Sequence, residues 1–181
     1  NIVRIGTSGS VQADIPVDSF VISEKSIGCD GVLRFYANNE SVCDHPFEEA
    51  FIRHCRWTPS AARPYVVNAD PGLVVRLYDE EHTIKGVTLT AVGFYGPQGR
   101  VLRLPLAMPG INDRITAFRY EGYKVTNYEM ESAAITGLCN LLGHRAATIC
   151  LIIANRINGD ASADYHSYMN KLIRYTLEKL S

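Results

Sequence analysis

Residues 146–154 read Ala-Ala-Thr-Ile-Cys-Leu-Ile-Ile-Ala, an apolar stretch with β-branched residues at several positions. Successive side chains of a strand point to opposite faces, so a strand that is apolar on both faces is covered on both. The stretch therefore predicts a central strand in a sheet with helices on either side. It is far shorter than the roughly 20 apolar residues that a membrane-spanning helix needs.

The segments around this strand alternate between helical and strand-like patterns. The helix predictions cover residues 46–57 with Asp44 as N-cap, 71–78, 112–118, 132–142 ending at Gly143, and an amphipathic terminal helix from Tyr165 to Leu180. The strand predictions cover residues 3–6, 19–23, 32–36, 86–92 and 124–128. This alternation predicts an α/β fold, a three-layer α/β/α sandwich around a mixed β-sheet.

Length and composition describe an ordinary globular domain. The chain has 181 residues, of which 46% are hydrophobic and 20% charged, with a formal net charge of −1. The near-neutral charge argues against a nucleic-acid or membrane-surface partner. Five cysteines without a Cys-x-x-Cys pair favour reduced thiols and a cytoplasmic location. The five histidines lack the spacing of metal ligands, so we expect no metal site and no cofactor.

The first residues, Asn1-Ile2-Val3-Arg4-Ile5-Gly6, enter a strand-like pattern directly. We therefore expect residues 1–181 to be a single domain that lacks its N-terminal segment, as the C-terminal part of a longer protein.

The segment Phe94-Tyr95-Gly96-Pro97-Gln98-Gly99-Arg100 follows the strand predicted at 86–92. Gly and Pro at this spacing are typical of a surface turn, which is one interpretation. The other is a clamp for a flat polar ring: Phe94 stacks, the Gln98 amide donates and accepts, and Arg100 donates to carbonyl oxygens. Among such rings, uracil fits this donor and acceptor pattern best.

Two further motifs combine charge with small residues. Arg4-Ile5-Gly6-Thr7-Ser8-Gly9 predicts a strand running into a turn that presents backbone N–H groups and hydroxyls to an anion, with Arg4 neutralising its charge. A plain strand-ending turn is the alternative. In Glu129-Met130-Glu131, at a strand-to-helix junction, the carboxylates either interact with the helix dipole or accept from the hydroxyls of a sugar diol.

The apolar strand ends in Asn155-Arg156, where an arginine is either a simple exit to solvent or a support for the ring clamp. With this fourth motif in place, the order and approximate spacing of all four resemble the uridine phosphorylases of the nucleoside phosphorylase family. The resemblance runs from Asn1 to Ser181 and corresponds to the C-terminal two-thirds of that family. It implies the nucleoside-phosphorylase-like form of the α/β fold predicted above.

The resemblance also implies three groups of site residues. Those for phosphate are Arg4, Gly6 and Thr7. Those for the base are Ser8, Gly9, Phe94, Gln98, Arg100 and Arg156. Those for ribose are Thr7, Glu129, Met130 and Glu131, with Glu131 expected on the 2′-hydroxyl. The residues expected to act in catalysis are Arg4, Arg100 and Glu131.

The activity implied is reversible phosphorolysis of uridine to uracil and ribose 1-phosphate, with inorganic phosphate as co-substrate and a homo-oligomer, either a dimer or a hexamer, as the working form. Purine-specific relatives typically carry a Ser-Asp pair where this chain has Asn155-Arg156, which favours a pyrimidine. A hydrolytic nucleosidase and a non-catalytic nucleoside-binding subunit remain the alternatives. The family's N-terminal phosphate loop has no counterpart here, so we expect the 181 residues alone to be poorly active.

Overall fold

The computed structural model describes all residues, 1–181, as a mixed β-sheet with five α-helices. The strands are β1 (Ile2–Ser10), β2 (Phe20–Gly28), β3 (Tyr65–Asn68), β4 (Thr83–Thr90), β5 (Arg119–Tyr120), β6 (Tyr123–Glu129), β7 (Ala146–Asn155) and β8 (Asp160–Ala161). The helices are α1 (His45–Cys55), α2 (Pro71–Leu77), α3 (Ile111–Ala117), α4 (Ser132–Leu141) and α5 (Tyr165–Leu180).

The sheet runs in the order β3-β2-β4-β6-β1-β7-β8, and the short β5 pairs with β6. Strand β2 pairs in parallel with β4 and also antiparallel with β7, from Phe20 opposite Leu151 to Ser23 opposite Thr148. Strands β2, β4, β6, β1 and β7 therefore form a closed cycle of pairings. Closure leaves no free edge within this part of the sheet.

Helices cover both faces of the sheet. On one face, Phe47 and Phe51 of α1 pack in a core cluster with Val66 of β3. On the other face, the neighbouring Tyr65 and Val67 pack with α4. Alternate residues of one strand thus contact different helix layers. The predicted three-layer α/β fold around a mixed sheet is confirmed.

The stretch that predicted the central strand does form it. Strand β7 is buried from Ala146 to Ile152 and pairs with β1 on one side and β2 on the other. Its Ile149 and Leu151 pack with Leu73 of α2 and Leu172 of α5. No helix in the structure combines the length and the apolar character needed to cross a membrane.

The predicted helices all form, and their ends follow the expected chemistry. The Asp44 side chain accepts a hydrogen bond from the backbone N–H of Phe47 at 3.2 Å and so caps α1. Beyond the end of α4, Gly143 adopts a φ of 71°, the left-handed conformation expected of a glycine after a helix.

One strand prediction is wrong, and the short strand β3 was missed. Residues 32–36 are not a strand, because Gly31 turns the chain with a φ of 72° and Asp30 accepts from the N–H of Val32, which starts a short 3-10 helix at Val32–Phe35. Of this helix only Leu33 is buried. Strand β3, Tyr65–Asn68, had no prediction, since four residues carry too little of a pattern to be recognised.

Candidate active site

The Arg4–Gly9 motif lies within a strand, and the turn predicted there is wrong. Strand β1 continues to Ser10, paired with β7, with only a register shift between Ser8 and Gly9. The two glycines instead make room for arginine side chains. A Cβ on Gly6 would lie 2.6 Å from Nη1 of Arg4, and one on Gly9 would lie 3.3 Å from Nε of Arg156.

The guanidinium of Arg4 is held by three groups from other elements. Its Nη1 lies 3.2 Å from a Glu129 carboxylate oxygen and donates to Sγ of Cys150 at 3.4 Å, while Nη2 is paired with Glu131. Burial works to lower the pKa of Arg4, but Cys150, Glu129 and Glu131 raise it overall above its ordinary value. Arg4 is therefore a fixed positive charge.

The two carboxylates of the Glu129–Glu131 motif have different environments. Glu129 is the last residue of β6, and its side chain is 1% exposed. Glu131 sits at the N-cap position of α4, and its side chain is 53% exposed. Both reach Arg4 because the chain turns between the strand and the helix. Only Glu131 is open to a ligand.

The loop after β4 brings Gln98 between two arginines. Gln98 is 2% exposed, and its side-chain oxygen accepts hydrogen bonds from Arg100 at 2.7 Å and from Arg156. Arg156 also donates to the backbone carbonyl of Gln98 at 3.2 Å. The Gln98 Nε2 group has no partner within the chain and is available as a donor.

Each of these arginines lies over an aromatic ring. The Arg100 guanidinium carbon is 3.9 Å from the ring centre of Phe94, and that of Arg156 is 4.4 Å from the ring centre of Tyr128. Such cation–π contacts fix the planes of the guanidinium groups. Phe94 is 52% exposed, so much of its surface remains free for a ligand.

The end of the site around Gln98 carries uncompensated positive charge. Neither Arg100 nor Arg156 has a carboxylate within 4.0 Å. Burial lowers the pKa of Arg100. Burial and then the charge of Arg100 lower the pKa of Arg156 to about 10. A ligand that brings electron-rich oxygens to the two guanidinium groups stabilises their positive charges, whereas a cationic ligand would destabilise them.

One cavity of about 280 Å³ collects nearly all of the residues predicted from the sequence. Its walls include Arg4, Thr7, Ser8, Gly9, Phe94, Gln98, Arg100, Glu129, Met130, Glu131 and Arg156. Gly6 is the exception, because it lies beneath the Arg4 guanidinium rather than in the wall. Ser8 contributes to the wall, and its hydroxyl is buried.

Sequence reasoning missed two side chains that contact the arginines of this site. Tyr128 lines the cavity, and the Arg156 guanidinium packs on its ring. The sequence signal that could have identified Tyr128 is an aromatic residue directly before the acidic motif. Cys150, expected only to be one of five reduced thiols, contacts Arg4 through its sulfur. Burial raises the pKa of Cys150 to about 12, so it contacts Arg4 as a neutral thiol. Cys150 lies next to Arg4 because it pairs with Gly6 across strands β1 and β7. No sequence pattern shows the register of that pairing.

A second, larger cavity of about 810 Å³ shares Arg100 and Tyr128 with the first and is lined mainly by apolar side chains. We assign the active site to the smaller cavity because it contains both the acidic pair and the three arginines. No group of three or more His, Cys, Asp or Glu side chains is placed to hold a metal ion.

The fold agrees with the comparisons with known proteins. The sequence model of the Phosphorylase superfamily matches residues 1–176, and the chain belongs to this family. Its architecture is similar to that of a Trypanosoma brucei nucleoside phosphorylase, described as showing uridine phosphorylase activity. That match has a TM-score of 0.84 and 24% identity, and it covers 99% of this chain and 62% of the other.

Two proteins of Schistosoma mansoni are similar in sequence. Uridine phosphorylase A is 38% identical over 160 residues, which are 87% of this chain and 49% of that protein. Inactive uridine phosphorylase B is 36% identical over 87 residues, which are 42% of this chain and 26% of that protein. The chain spans about half the length of the curated relatives that it matches over most of its own residues.

Proposed function

We propose that the full-length protein is a uridine phosphorylase, which converts uridine and inorganic phosphate to uracil and ribose 1-phosphate. The observation that carries this proposal is the arrangement of Gln98 between Arg100 and Arg156, without a carboxylate nearby. Three relatives supply further support: the Schistosoma and Trypanosoma proteins carry this activity in their names or descriptions, as does a Thermococcus kodakarensis protein.

The Gln98 arrangement suits uracil because the ring carries two carbonyl oxygens. Arg100 and the free Nε2 of Gln98 are donors directed at such oxygens, and Phe94 offers an aromatic face for the ring. When the glycosidic bond breaks, negative charge grows on the departing base. The positive charge of Arg100, supported by Arg156, stabilises that developing charge more than it stabilises the neutral substrate.

The other end of the cavity combines an arginine with a carboxylate, and this combination suits phosphate and ribose. Arg4 and the Thr7 hydroxyl are the phosphate ligands on this chain, and Glu131 accepts from the ribose hydroxyls. Phosphate is then the nucleophile, so no side chain forms a covalent bond. Its negative charge beside the sugar stabilises the positive character that the sugar acquires in the transition state, and the site acts through positioning and electrostatics.

Product analysis tests this proposal directly. We expect full-length protein, supplied with uridine and phosphate, to form ribose 1-phosphate, observed as a new ³¹P NMR signal, in step with uracil. Free ribose without the phosphate ester would indicate a nucleosidase instead. In the proposed reaction, inorganic phosphate is a co-substrate and no further cofactor takes part.

A non-catalytic nucleoside-binding role is the second candidate, and the similarity to the inactive Schistosoma protein is the observation that favours it. Isothermal titration separates the two. A binding protein takes up uridine in the presence of phosphate and returns it unchanged, whereas the enzyme consumes it during the titration.

A further inference from the structure

We propose that Glu129 is a positioning residue, which fixes Arg4 and the first turn of α4, and that Glu131 alone binds the sugar diol. The inference rests on the proposed function, because it divides the roles of two carboxylates within that site. It departs from the expectation that both belong to the ribose group.

The first argument is that the buried Glu129 carboxylate is already engaged by groups of this chain. One of its oxygens accepts from the backbone N–H groups of Glu131 and Ser132, both at 2.9 Å, and lies 3.2 Å from Arg4. The other accepts from the Thr90 hydroxyl at 2.5 Å. The first oxygen has no acceptor site left; the second has one, but it belongs to a side chain that is 1% exposed and is therefore closed to a sugar hydroxyl.

The second argument is that the start of α4 depends on Glu129. The Thr90 hydroxyl, which donates to Glu129, also accepts from the N–H of Ala133 at 2.9 Å. Glu129 and Thr90 together thus satisfy the N–H groups of three consecutive residues, Glu131 to Ala133. The side chain of Glu131, at the N-cap position, makes no capping hydrogen bond, and only one of its two oxygens contacts Arg4.

The third argument concerns the two ends of the Arg4 guanidinium. Its Nη1 contacts the buried groups Glu129 and Cys150, while Nη2 contacts the exposed Glu131. Nη1 is therefore the anchored end, and Nη2 is the end that can exchange Glu131 for a phosphate oxygen. Loss of the Glu129 charge frees the anchored end, so phosphate binding suffers before ribose recognition does.

The matched variants Glu129→Gln and Glu131→Gln test this division in the full-length protein. Both substitutions keep the side-chain shape and remove one charge. We expect Glu129→Gln to raise the KM for phosphate roughly tenfold or more, because it loses charge-assisted hydrogen bonds. It should retain the wild-type preference for uridine over 2′-deoxyuridine. We expect Glu131→Gln to lose that preference. Loss of the preference in Glu129→Gln would overturn the inference.

Thermal unfolding gives a second readout that does not depend on turnover. Glu129→Gln should lower Tm more than Glu131→Gln, because only Glu129 holds the first turn of α4; equal Tm values contradict the positioning role. This comparison stands even if the wild-type protein proves inactive, an outcome that defeats the proposed function rather than this inference.

A crystal structure of the wild-type protein with uridine and sulfate covers the case in which Glu129→Gln does not fold. We expect the Glu129 oxygens to remain on Ser132 and Arg4, with Glu131 on the ribose. A Glu129 oxygen bound to a ribose hydroxyl would show that the assignment is wrong.

Discussion

The guanidinium of Arg4 lies against Gly6, so close that a Cβ on residue 6 would be 2.6 Å from Nη1 and 2.8 Å from the guanidinium carbon. A glycine is therefore needed at position 6 to leave room for the Arg4 side chain, and not to allow a backbone turn. We expect Gly6→Ala to displace Arg4 from Glu129 and Cys150 and to raise the KM for phosphate roughly tenfold, since it weakens a charge-assisted contact.

The double variant Arg4→Ala/Gly6→Ala shows whether this effect acts through Arg4. If it does, the double variant is no worse than Arg4→Ala alone, because the clash has been removed. Additive losses in steady-state kinetics would show that Gly6 matters for another reason.

In the proposed reaction, Arg100 is the donor that receives the charge of the leaving base. We expect Arg100→Ala to reduce kcat for uridine on the order of a hundredfold or more. The fold should persist, because the side-chain hydrogen bonds of Arg100 are confined to its own loop. Arg103→Ala is the matched control, since Arg103 is exposed three residues away and makes no hydrogen bond. Near-normal turnover by Arg100→Ala would remove the proposed mechanism.

Gln98 separates two positive charges without neutralising either of them. In Gln98→Glu, a carboxylate would pair with both Arg100 and Arg156 and cancel the charge that stabilises the departing base. We expect kcat for uridine to fall roughly 10- to 100-fold while Tm stays the same or rises. Steady-state assays and thermal unfolding measure the two effects, and unchanged kcat would show that this charge has no part in the reaction.

The pH dependence of stability has an identifiable contributor in His45. Its Nδ1 lies 3.1 Å from the buried Glu48 and its Nε2 lies 3.3 Å from Glu40. The hydrogen bond to Glu48, with the charge of both glutamates, raises the pKa of His45 above its ordinary 6.5. A raised folded-state pKa stabilises the protein fully below 6.5, and that contribution is lost as pH rises through the folded-state pKa.

Urea denaturation of wild type and His45→Gln measures this contribution. The difference in the free energy of unfolding should be larger at about pH 5.5 than at about pH 8.5. The control is His144→Gln, because the exposed His144 side chain contacts no carboxylate. A difference that is the same at both pH values contradicts the assignment to His45.

Much of the fold was predictable because its signals are local. The apolar stretch of β7 and the amphipathic pattern of Tyr165–Leu180 depend only on which faces are buried, and both elements form as expected. The closed cycle of strands was not predictable, because it depends on pairings such as that of Phe20 with Leu151, more than a hundred residues away along the chain. The same reason explains why the contact of Cys150 with Arg4 was missed.

The site was predictable as a set of residues but not as an arrangement. The motifs contain most of the residues that line the cavity. However, they predicted Gly6 and Gly9 to be turn glycines, whereas both lie in a strand beside arginine side chains. They also placed Glu129 and Glu131 in one ribose-binding group, although burial and hydrogen bonding separate them. The ligand roles of the individual residues remain predictions that the variants above test.

The most direct test of the central claim is uracil release from uridine by the full-length protein, followed by ultraviolet absorbance with and without inorganic phosphate. The account predicts release only when phosphate is present, at a rate that saturates with phosphate concentration. Release at the same rate without phosphate, or no release under either condition, would contradict it.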